Sequence, residues 1–457
     1  MLKLLASTGI VNISYKSRPK LCHCYFFDSF EKFFRTRKKK MHTTTQRLLI
    51  IATLLLIVMA GCSHNKKTAT TAATKPDIPV DTALQSRLAE FAAKPRVQGQ
   101  LGIYVYDLTA DKPVFGMNES QSLPVASCTK LLTTVAGLHL LGSNYRYSTS
   151  LYTHGKMKND TLVGDVIFKA DLDPQLQPEN LALFTSALKQ QGIDHVQGRL
   201  VLDLLLKDKV QAEAHWYPWD LSFSRYGMLY KGPDKVRNLV KAQFASAGYH
   251  FDDAQVIYGK VPRGSVYRFR YSSGIQMAIN HMLKHSSNTQ ATALLYTMGH
   301  RSNPRQAPAT AGVEYMRRFM RHDLGLTDTS LVVHDGCGLC IHNHLSPVAL
   351  ATILKYGYRH KDIYKSLLTG LSISGIDGTL RGKGYDREGL KGMIHGKTGT
   401  LSHPYGISSI AGYCQDGNGH DLAFVMLNTQ MSVLDARLMQ RNFCEALVGE
   451  AREHKKK

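Results

Sequence analysis

The stretch Ser122-Leu123-Pro124-Val125-Ala126-Ser127-Cys128-Thr129-Lys130, continuing into Leu131, Leu132, Val135, Leu138 and Leu141, decides how the rest of the chain is read. The apolar residues keep helical spacing, so a helix is expected to begin at Ser127 and to carry Lys130 one turn later. Residues three apart on a helix share a face, which lets the Lys130 amine reach the Ser127 hydroxyl. The helix N-terminus favours the negative charge that develops on an attacking oxygen. A buried, partly desolvated lysine loses its proton more readily and can serve as base. Cys128 is one residue out of phase with Lys130 and is not expected to be the nucleophile. Taken alone, Ser-x-x-Lys is a weak signal, because it occurs by chance in many proteins.

Two further motifs change its weight. Ser286-Ser287-Asn288 follows an amphipathic stretch from 275 to 285 and precedes a second helix-like run at 291–298. Lys397-Thr398-Gly399-Thr400 precedes 407–414 and 422–427, which read as a strand pair around a turn at 415–419. Nearer the start, Leu84, Leu88 and Phe91 lie on one face of a helix expected over Thr82–Ala93. Leu101, Ile103 and Val105 then alternate as a strand, and a turn at 107–112 leads back through 113–117. Ser-x-x-Lys, Ser-x-Asn and Lys-Thr-Gly, in that order and setting, form the signature set of penicillin-binding proteins and class A β-lactamases.

Other landmarks narrow the resemblance: Gly164-Asp165-Val166-Ile167 with Asp171-Leu172-Asp173-Pro174, Gly192-Ile193 through Gly198, Asp335-Gly336-Cys337-Gly338-Leu339, and Asp377-Gly378-Thr379-Leu380. With Gly396 through Leu401 they resemble the D-alanyl-D-alanine carboxypeptidase/endopeptidase family, the class C low-molecular-mass penicillin-binding proteins, from about residue 85 to 450. The β-lactamases lack the long insertion between the first two motifs. The resemblance implies an α/β (α+β) fold, an antiparallel sheet flanked by helices and interrupted by an inserted domain. It implies Ser127 as acylated nucleophile, Lys130 as its base, Ser286 as proton relay to the leaving amine and Asn288 as holder of the substrate backbone. Lys397, Thr398, Gly399 and Thr400 would line the pocket for a terminal carboxylate, and the Ser127 and Thr400 N–H groups would form the oxyanion hole. The expected partners are peptidoglycan stem peptides and β-lactams; no cofactor and no metal is expected. The competing reading is a non-catalytic, lipid-anchored wall-binding protein on the same scaffold, and the intact Ser127, Lys130, Ser286, Asn288 and Lys397 favour the enzyme.

The chain departs from the family in two places. Ser287 stands where Asp is common, at the residue of its motif least involved in the chemistry. The family's Asp-Gly-Ser-Gly-Leu-Ser, usually followed by Arg, reads here Asp335-Gly336-Cys337-Gly338-Leu339-Cys340-Ile341, which puts substrate preference in doubt more than the reaction. Cys337, Cys340, His342 and His344 have the density of a zinc site, but their order and the family loop beneath them favour two small buried thiols, with a disulfide as the alternative. His281 and His285 share a helical face without the Glu of a His-Glu-x-x-His motif, so they are read as surface residues. The 155 residues between Lys130 and Ser286 are too many for a loop. The expected division is 82–145 with 271–457 as a discontinuous catalytic domain and 146–270 as the insert. The family's counterpart is usually longer, so part of it is expected to be missing or reduced here. Trp216 and Trp219 are expected as packing anchors within the insert.

The N-terminus is read separately from the fold. From Met41 the chain passes Arg47 into an apolar run of 14 residues, Leu48 to Gly61, short of the about 20 that span a bilayer. This is the pattern of a secretion signal, and Met59-Ala60-Gly61-Cys62 resembles a bacterial lipobox. The expected division is therefore a mis-called start over 1–40, a lipoprotein signal peptide over 41–61, lipidation at Cys62 and a polar tether over 62–81. An exported lipoprotein anchored on the periplasmic side of the envelope follows. The formal charge of +22 is not a nucleic-acid signal: residues 1–61 carry nine net positive charges, and the remaining +13 is scattered without a basic, aromatic-interleaved stripe. With 43% hydrophobic and 20% charged residues, the composition also excludes disorder and a polytopic membrane protein. Cys128, Cys337, Cys340, Cys414 and Cys444 are odd in number, so a complete disulfide framework is not expected.

Overall fold

Apolar alternation builds the central sheet. The computed structural model describes residues 77–95, 98–223, 226–402 and 406–449; the expectations for the signal segment, Cys62 and most of the tether lie outside the described residues. In chain order the main elements are α1 (Thr82–Ala93), β1 (Gln100–Asp107), β2 (Lys112–Met117), α2 (Thr129–Leu141), β3 (Thr149–Lys158), β4 (Thr161–Ala170), α3 (Leu181–Gln190), β5 (Leu200–Leu204), α4 (Pro233–Ser246), β6 (Val256–Tyr258) and β7 (Val266–Tyr271). There follow α5 (Ile275–Lys284), α6 (Asn288–Ser302), α7 (Pro308–His322), α8 (Pro347–Arg359), α9 (Lys361–Gly370), β8 (Ser372–Ile373), β9 (Ile394–Leu401), β10 (Ile407–Gln415), β11 (Asp421–Thr429) and α10 (Val433–Val448). The central sheet has the order β8-β9-β10-β11-β1-β2, and every pairing in it is antiparallel.

Because side chains alternate across a strand, each central strand feeds two cores. Leu422, Phe424 and Met426 of β11 pack with Leu84, Leu88 and Phe91 of α1 and with Phe443 and Leu447 of α10. Their neighbours Ala423, Val425 and Leu427 pack on the opposite face with Leu131, Leu132 and Val135 of α2, Ile279 of α5, Leu294 of α6 and Leu350 of α8. Helices on both faces explain why β10 and β11 are buried almost end to end.

A second sheet fills the interval between the first two motifs. The chain leaves the central body at Arg146 and returns at Gly274, two positions joined by an antiparallel bridge, and the Tyr147 N–H donates to the Ser273 carbonyl at 2.9 Å. Between them β6-β5-β4-β3-β7 form a mixed sheet. The hairpin partners β3 and β4 are antiparallel, whereas β4–β5 and β5–β6 are parallel and are each connected through a helix, α3 or α4. This sheet has its own apolar cluster, including Val166, Phe168, Phe184 and Leu202, which also takes in Ala293 and Tyr296 of α6.

The two tryptophans behave differently from expectation. Trp216 is buried, but it packs in the core that contains α2, not in that of the second sheet, and its Nε1 donates to Asp335 at 2.7 Å. Trp219 is 53% exposed and lies flat on Tyr217, so it is not a packing anchor: once Trp216 is inserted, the chain turns outward and leaves both rings at the surface.

α6 and α7 cross closely because both contribute glycine at the contact. A Cβ on Gly299 would lie 1.9 Å from the Pro308 carbonyl oxygen, and one on Gly312 2.4 Å from that of Leu295. Helix propensity alone makes Gly299→Ala stabilising by about 1 kcal/mol, whereas overpacking against a rigid backbone costs ~1–3 kcal/mol or more. Gly299→Ala is therefore expected to lower stability, and chemical denaturation that showed it more stable than wild type would contradict the close crossing.

Candidate active site

Ser127 sits on a 3-10 turn, Ala126–Cys128, immediately ahead of α2, so it precedes the α-helix proper instead of opening it. Ala126 adopts φ +46°, a left-handed backbone that a non-glycine residue adopts only when its surroundings hold it. The surroundings are specific. The Val125 N–H donates to the Asn343 carbonyl at 3.2 Å, and the Ser409 hydroxyl donates to the Val125 carbonyl at 2.8 Å. The Cys128 thiol donates to the Lys397 carbonyl at 3.3 Å. Cys128 is thus fully buried toward β9 while Ser127 is only half-buried, which removes the thiol from consideration as the attacking group.

Lys130 has no exposed surface, yet its Nζ has three polar partners: Ser127 Oγ at 2.8 Å, Asn288 Oδ1 at 2.8 Å and the Cys337 carbonyl. Burial outweighs these acceptors and lowers its pKa to about 8, so a neutral amine is accessible near neutral pH. Asn288 is the first residue of α6, whose N-cap is Ser287 accepting from the Gln290 N–H. Ser286 just before it has φ +56° and places its hydroxyl 2.9 Å from Lys397 Nζ.

The Lys-Thr-Gly segment precedes the β10–β11 pair, as its sequence setting indicates, and is itself part of a strand, β9, paired residue for residue with β10. Lys397 is fully buried, and its pKa is lowered to about 7, first by burial and then by the charge of Lys130. Besides Ser286, its ammonium donates to the Thr398 carbonyl. The Thr398 hydroxyl donates to Thr379 Oγ1 at 2.9 Å, and Thr400 occupies the same face of β9 two residues on. Gly399 is where β9 passes the Ser127 turn: a Cβ there would lie 2.7 Å from the Val125 carbonyl and 3.0 Å from the Ser127 nitrogen. Lys130 is hydrogen-bonded to Ser127 and Asn288, Lys397 is hydrogen-bonded to Ser286, and the two sets are near enough for the Lys130 charge to act on Lys397, so the five residues form one polar group with Thr398 to Thr400 running past it. Such a group can activate a hydroxyl, relay a proton and hold an anion.

The residue that shapes one wall of this group has no role legible in the motifs. Asp335, nearly fully buried, accepts from the backbone amides of Cys337 (3.0 Å), Gly338 (2.6 Å) and Cys340 (2.8 Å), from Asn343 Nδ2 (2.8 Å) and from Trp216 Nε1 (2.7 Å). These bonds fold the loop that offers the Cys337 carbonyl to Lys130. Thr379, which positions the Thr398 hydroxyl, was likewise unassigned. Both belong to landmarks already visible in the sequence, Asp335-Gly336 and Asp377-Gly378-Thr379, but only their contacts reveal what they do. Cys337 and Cys340 are free and buried, so the disulfide alternative is not realised, and His281 and His285 are exposed as expected.

The chain matches the D-Ala-D-Ala carboxypeptidase 3 (S13) family over residues 84–227 and 230–449. It is 21% identical to the D-alanyl-D-alanine carboxypeptidase DacB of Haemophilus influenzae over 409 residues, 71% of this chain and 84% of that protein. A second relative, the D-alanyl-D-alanine carboxypeptidase of an Actinomadura species, is 24% identical over 30% of this chain and 26% of its own length. The fold is similar to the crystal structure of penicillin binding protein 4 from H. influenzae, with a TM-score of 0.65 at 20% identity, covering 80% of this chain and 98% of that one. It is also similar to Bd3459, a predatory peptidoglycan endopeptidase from Bdellovibrio bacteriovorus, with a TM-score of 0.53 at 15% identity over 76% and 92% of the two chains. The chain belongs to the D-Ala-D-Ala carboxypeptidase 3 (S13) family and is a serine-type peptidase of the D-Ala-D-Ala carboxypeptidase kind.

Proposed function

We propose that Ser127 is the nucleophile through which this enzyme cleaves D-alanyl bonds of peptidoglycan, as carboxypeptidase, cross-link endopeptidase or both, and that β-lactams acylate the same serine. The observation that carries this reading is the fully buried Lys130 amine 2.8 Å from Ser127 Oγ. Neutral Lys130 takes the hydroxyl proton as Oγ bonds to the substrate carbonyl carbon. The backbone N–H groups of Ser127 and Thr400 receive the developing oxyanion, a contribution of the order of 10²–10³ in rate for each donor. Ser286 delivers its proton to the leaving amine and recovers the one that Lys130 took from Ser127, so Lys130 is neutral again while Lys397, 2.9 Å from Ser286 Oγ, keeps its charge. Water then attacks the acyl-enzyme with Lys130 again as base. Asn288 holds the substrate backbone, and Lys397 with Thr398, Gly399 and Thr400 receives the terminal carboxylate. A non-catalytic role on this scaffold would not require Lys130, Ser286, Asn288 and Lys397 all to be kept together with Ser127.

The same reading assigns 82–145 and 271–457 to a catalytic domain and 146–270 to an inserted domain. The neighbouring exit and return at Arg146 and Gly274 support it, as does the separate core of the second sheet. A peptidase of the cell wall acts outside the cytoplasm, so the protein is exported. Among the described residues no helix is long and apolar enough to cross a membrane, and the proposed anchor is a lipid on Cys62 after cleavage of 41–61. Cys62→Ala is expected to shift the protein from the membrane to the soluble fraction; a Cys62→Ala protein that still incorporates labelled lipid would contradict the assignment.

Incubation with a fluorescent penicillin tests the nucleophile. Wild type should form a covalent adduct, Ser127→Ala should form none while remaining folded, and Lys130→Ala should be acylated ~10²–10⁴-fold more slowly. An adduct mapped to Cys128 would overturn the assignment. Lys397→Met should erase the preference for a D-Ala-D-Ala peptide over its C-terminal amide, a discrimination of about 10–100-fold for a charge-assisted hydrogen bond of ~1.5–3 kcal/mol. A free-acid preference that persists in Lys397→Met would separate carboxylate recognition from this lysine.

The pH dependence follows from the two buried lysines. Activity needs one proton on the pair, which titrates near about 7 and about 8; Lys130 is the more basic of the two, so the reaction draws on the fraction of that state in which Lys130 is neutral and Lys397 is charged. Below this window both lysines carry protons and the base is blocked; above it neither does and the carboxylate loses its cation. The second-order rate of acylation should therefore be bell-shaped, and Lys397→Met should lose the alkaline limb. A profile that rises monotonically in wild type would contradict the assigned roles.

A further inference from the structure

A second cluster of chemically active side chains lies behind the Asp335 loop, and no step of the mechanism uses it. Cys340, 1% exposed, stands with Glu213, His215 and His334, and one donor atom from each lies within 4.8 Å of the others. Glu213 Oε1 is 2.7 Å from His215 Nδ1 and 3.8 Å from His334 Nδ1. The His342 ring closes the margin, 4.7 Å from that of His215. The local run Cys337, Cys340, His342 and His344 therefore contributes only Cys340 to the group. Two of the other donors arrive from the segment after β5, more than a hundred residues earlier.

We propose that Glu213, His215, His334 and Cys340 form a zinc site that fastens the 206–219 segment to the catalytic loop. Two imidazoles, a thiolate and a carboxylate are a donor set suited to Zn²⁺ in tetrahedral geometry. Zinc bond lengths place tetrahedral donors about 3.3–3.6 Å apart, so small side-chain rotations close the group onto one ion. The thiolate and carboxylate neutralise the dication, which suits a partly buried position, and binding releases the Cys340 proton. Supporting contacts already orient the donors: the Cys340 N–H donates to Asp335 Oδ2 at 2.8 Å, and the His215 N–H donates to Glu213 Oε2 at 2.9 Å. Glu213 and His334 also line a cavity of about 830 Å³ between the two parts of the chain, which gives an ion a route in. Trp216 Nε1 and Asp335 join the same two segments one step away, so the ion would lock a junction that the apolar core and one hydrogen bond already define. Because the Cys337 carbonyl meets Lys130, the locked loop is the one that backs the Ser127–Lys130 pair.

The test uses the purified protein, stripped with a chelator and titrated with Zn²⁺ and, as a spectroscopic probe, Co²⁺. Wild type should take up one ion per chain, and Co²⁺ should produce the near-ultraviolet thiolate-to-cobalt charge-transfer band together with the intense visible absorption of a tetrahedral site. Cys340→Ser should lose the charge-transfer band. His215→Gln, at the exposed edge, should weaken Zn²⁺ binding by at least the ~10–100-fold that loss of even a supporting residue costs, with unchanged circular dichroism. Failure of wild type to bind stoichiometric Zn²⁺, a preference for Cu²⁺ with no Zn²⁺ uptake, or a cobalt band that survives in Cys340→Ser would each overturn the proposal. If Cys340→Ser does not fold, wild-type affinity in His215→Gln overturns it instead. None of these readouts depends on acylation, so the zinc site and the role of Ser127 stand or fall separately.

Discussion

An amine with no exposed surface has to be surrounded by acceptors, and the acceptors around Lys130 tie three distant parts of the chain together. Ser127 comes from the turn before α2, Asn288 from the start of α6, and the Cys337 carbonyl from the Asp335 loop. Burial disfavours the charged form, so Lys130 is accessible as a base; its hydrogen bonds keep it aimed at the serine. Lys397 repeats the arrangement on the other side of the site, with Ser286 as its hydroxyl, and burial together with the charge of Lys130 makes it harder for Lys397 to hold a proton.

The sheet and the loops divide the work of keeping these groups in place. β9 is paired to β10 along its whole length and passes the Ser127 turn at Gly399, where any side chain would strike the Val125 carbonyl. The Ser409 hydroxyl and the Cys128 thiol attach that turn to the strands. Opposite them, Asp335 gathers five donors and folds a short loop with almost no regular structure of its own. One of those donors, Trp216, belongs to the intervening segment, so its indole ties that segment to the loop beside the site, alongside the packing of Tyr296 and the Gln175–Gln290 hydrogen bond on α6. The strained φ values fall at Ala126, next to Ser127, and at Ser286, where the surrounding contacts can hold them.

Much of this was legible before any coordinates. Periodicity located α1 and the β1–β2 hairpin, and two apolar runs flanking a polar turn located the β10–β11 pair, because burial on one face or on both leaves a direct imprint on residue type. The three motifs identified the polar group, since the chemistry tolerates few side chains at each place. The sequence also announced an interruption between Lys130 and Ser286, although not the mixed, partly parallel sheet that fills it. Parallel pairing depends on helical crossovers whose packing partners are remote, and no local pattern records them. The expectation for Trp219 failed for a related reason: a tryptophan is large and apolar, but whether its ring finds a core depends on which way the chain turns after Trp216.

What the sequence by itself determined is the set of reactive side chains and their order: a serine with a lysine one turn away, a Ser-x-Asn motif and a Lys-Thr-Gly motif. Those properties reside in residue type and short-range spacing. Tertiary structure alone decided the environment of each group, because burial and hydrogen-bond partners are contributed by segments far apart in the chain. It turned Cys128 inward and left Ser127 facing the cleft. It made Asp335 the organiser of a loop and drew Cys340 away from its neighbours in sequence toward Glu213, His215 and His334. A carboxylate or a thiol has no fixed role until its neighbours are known, and here those neighbours lie across the junction between two sheets.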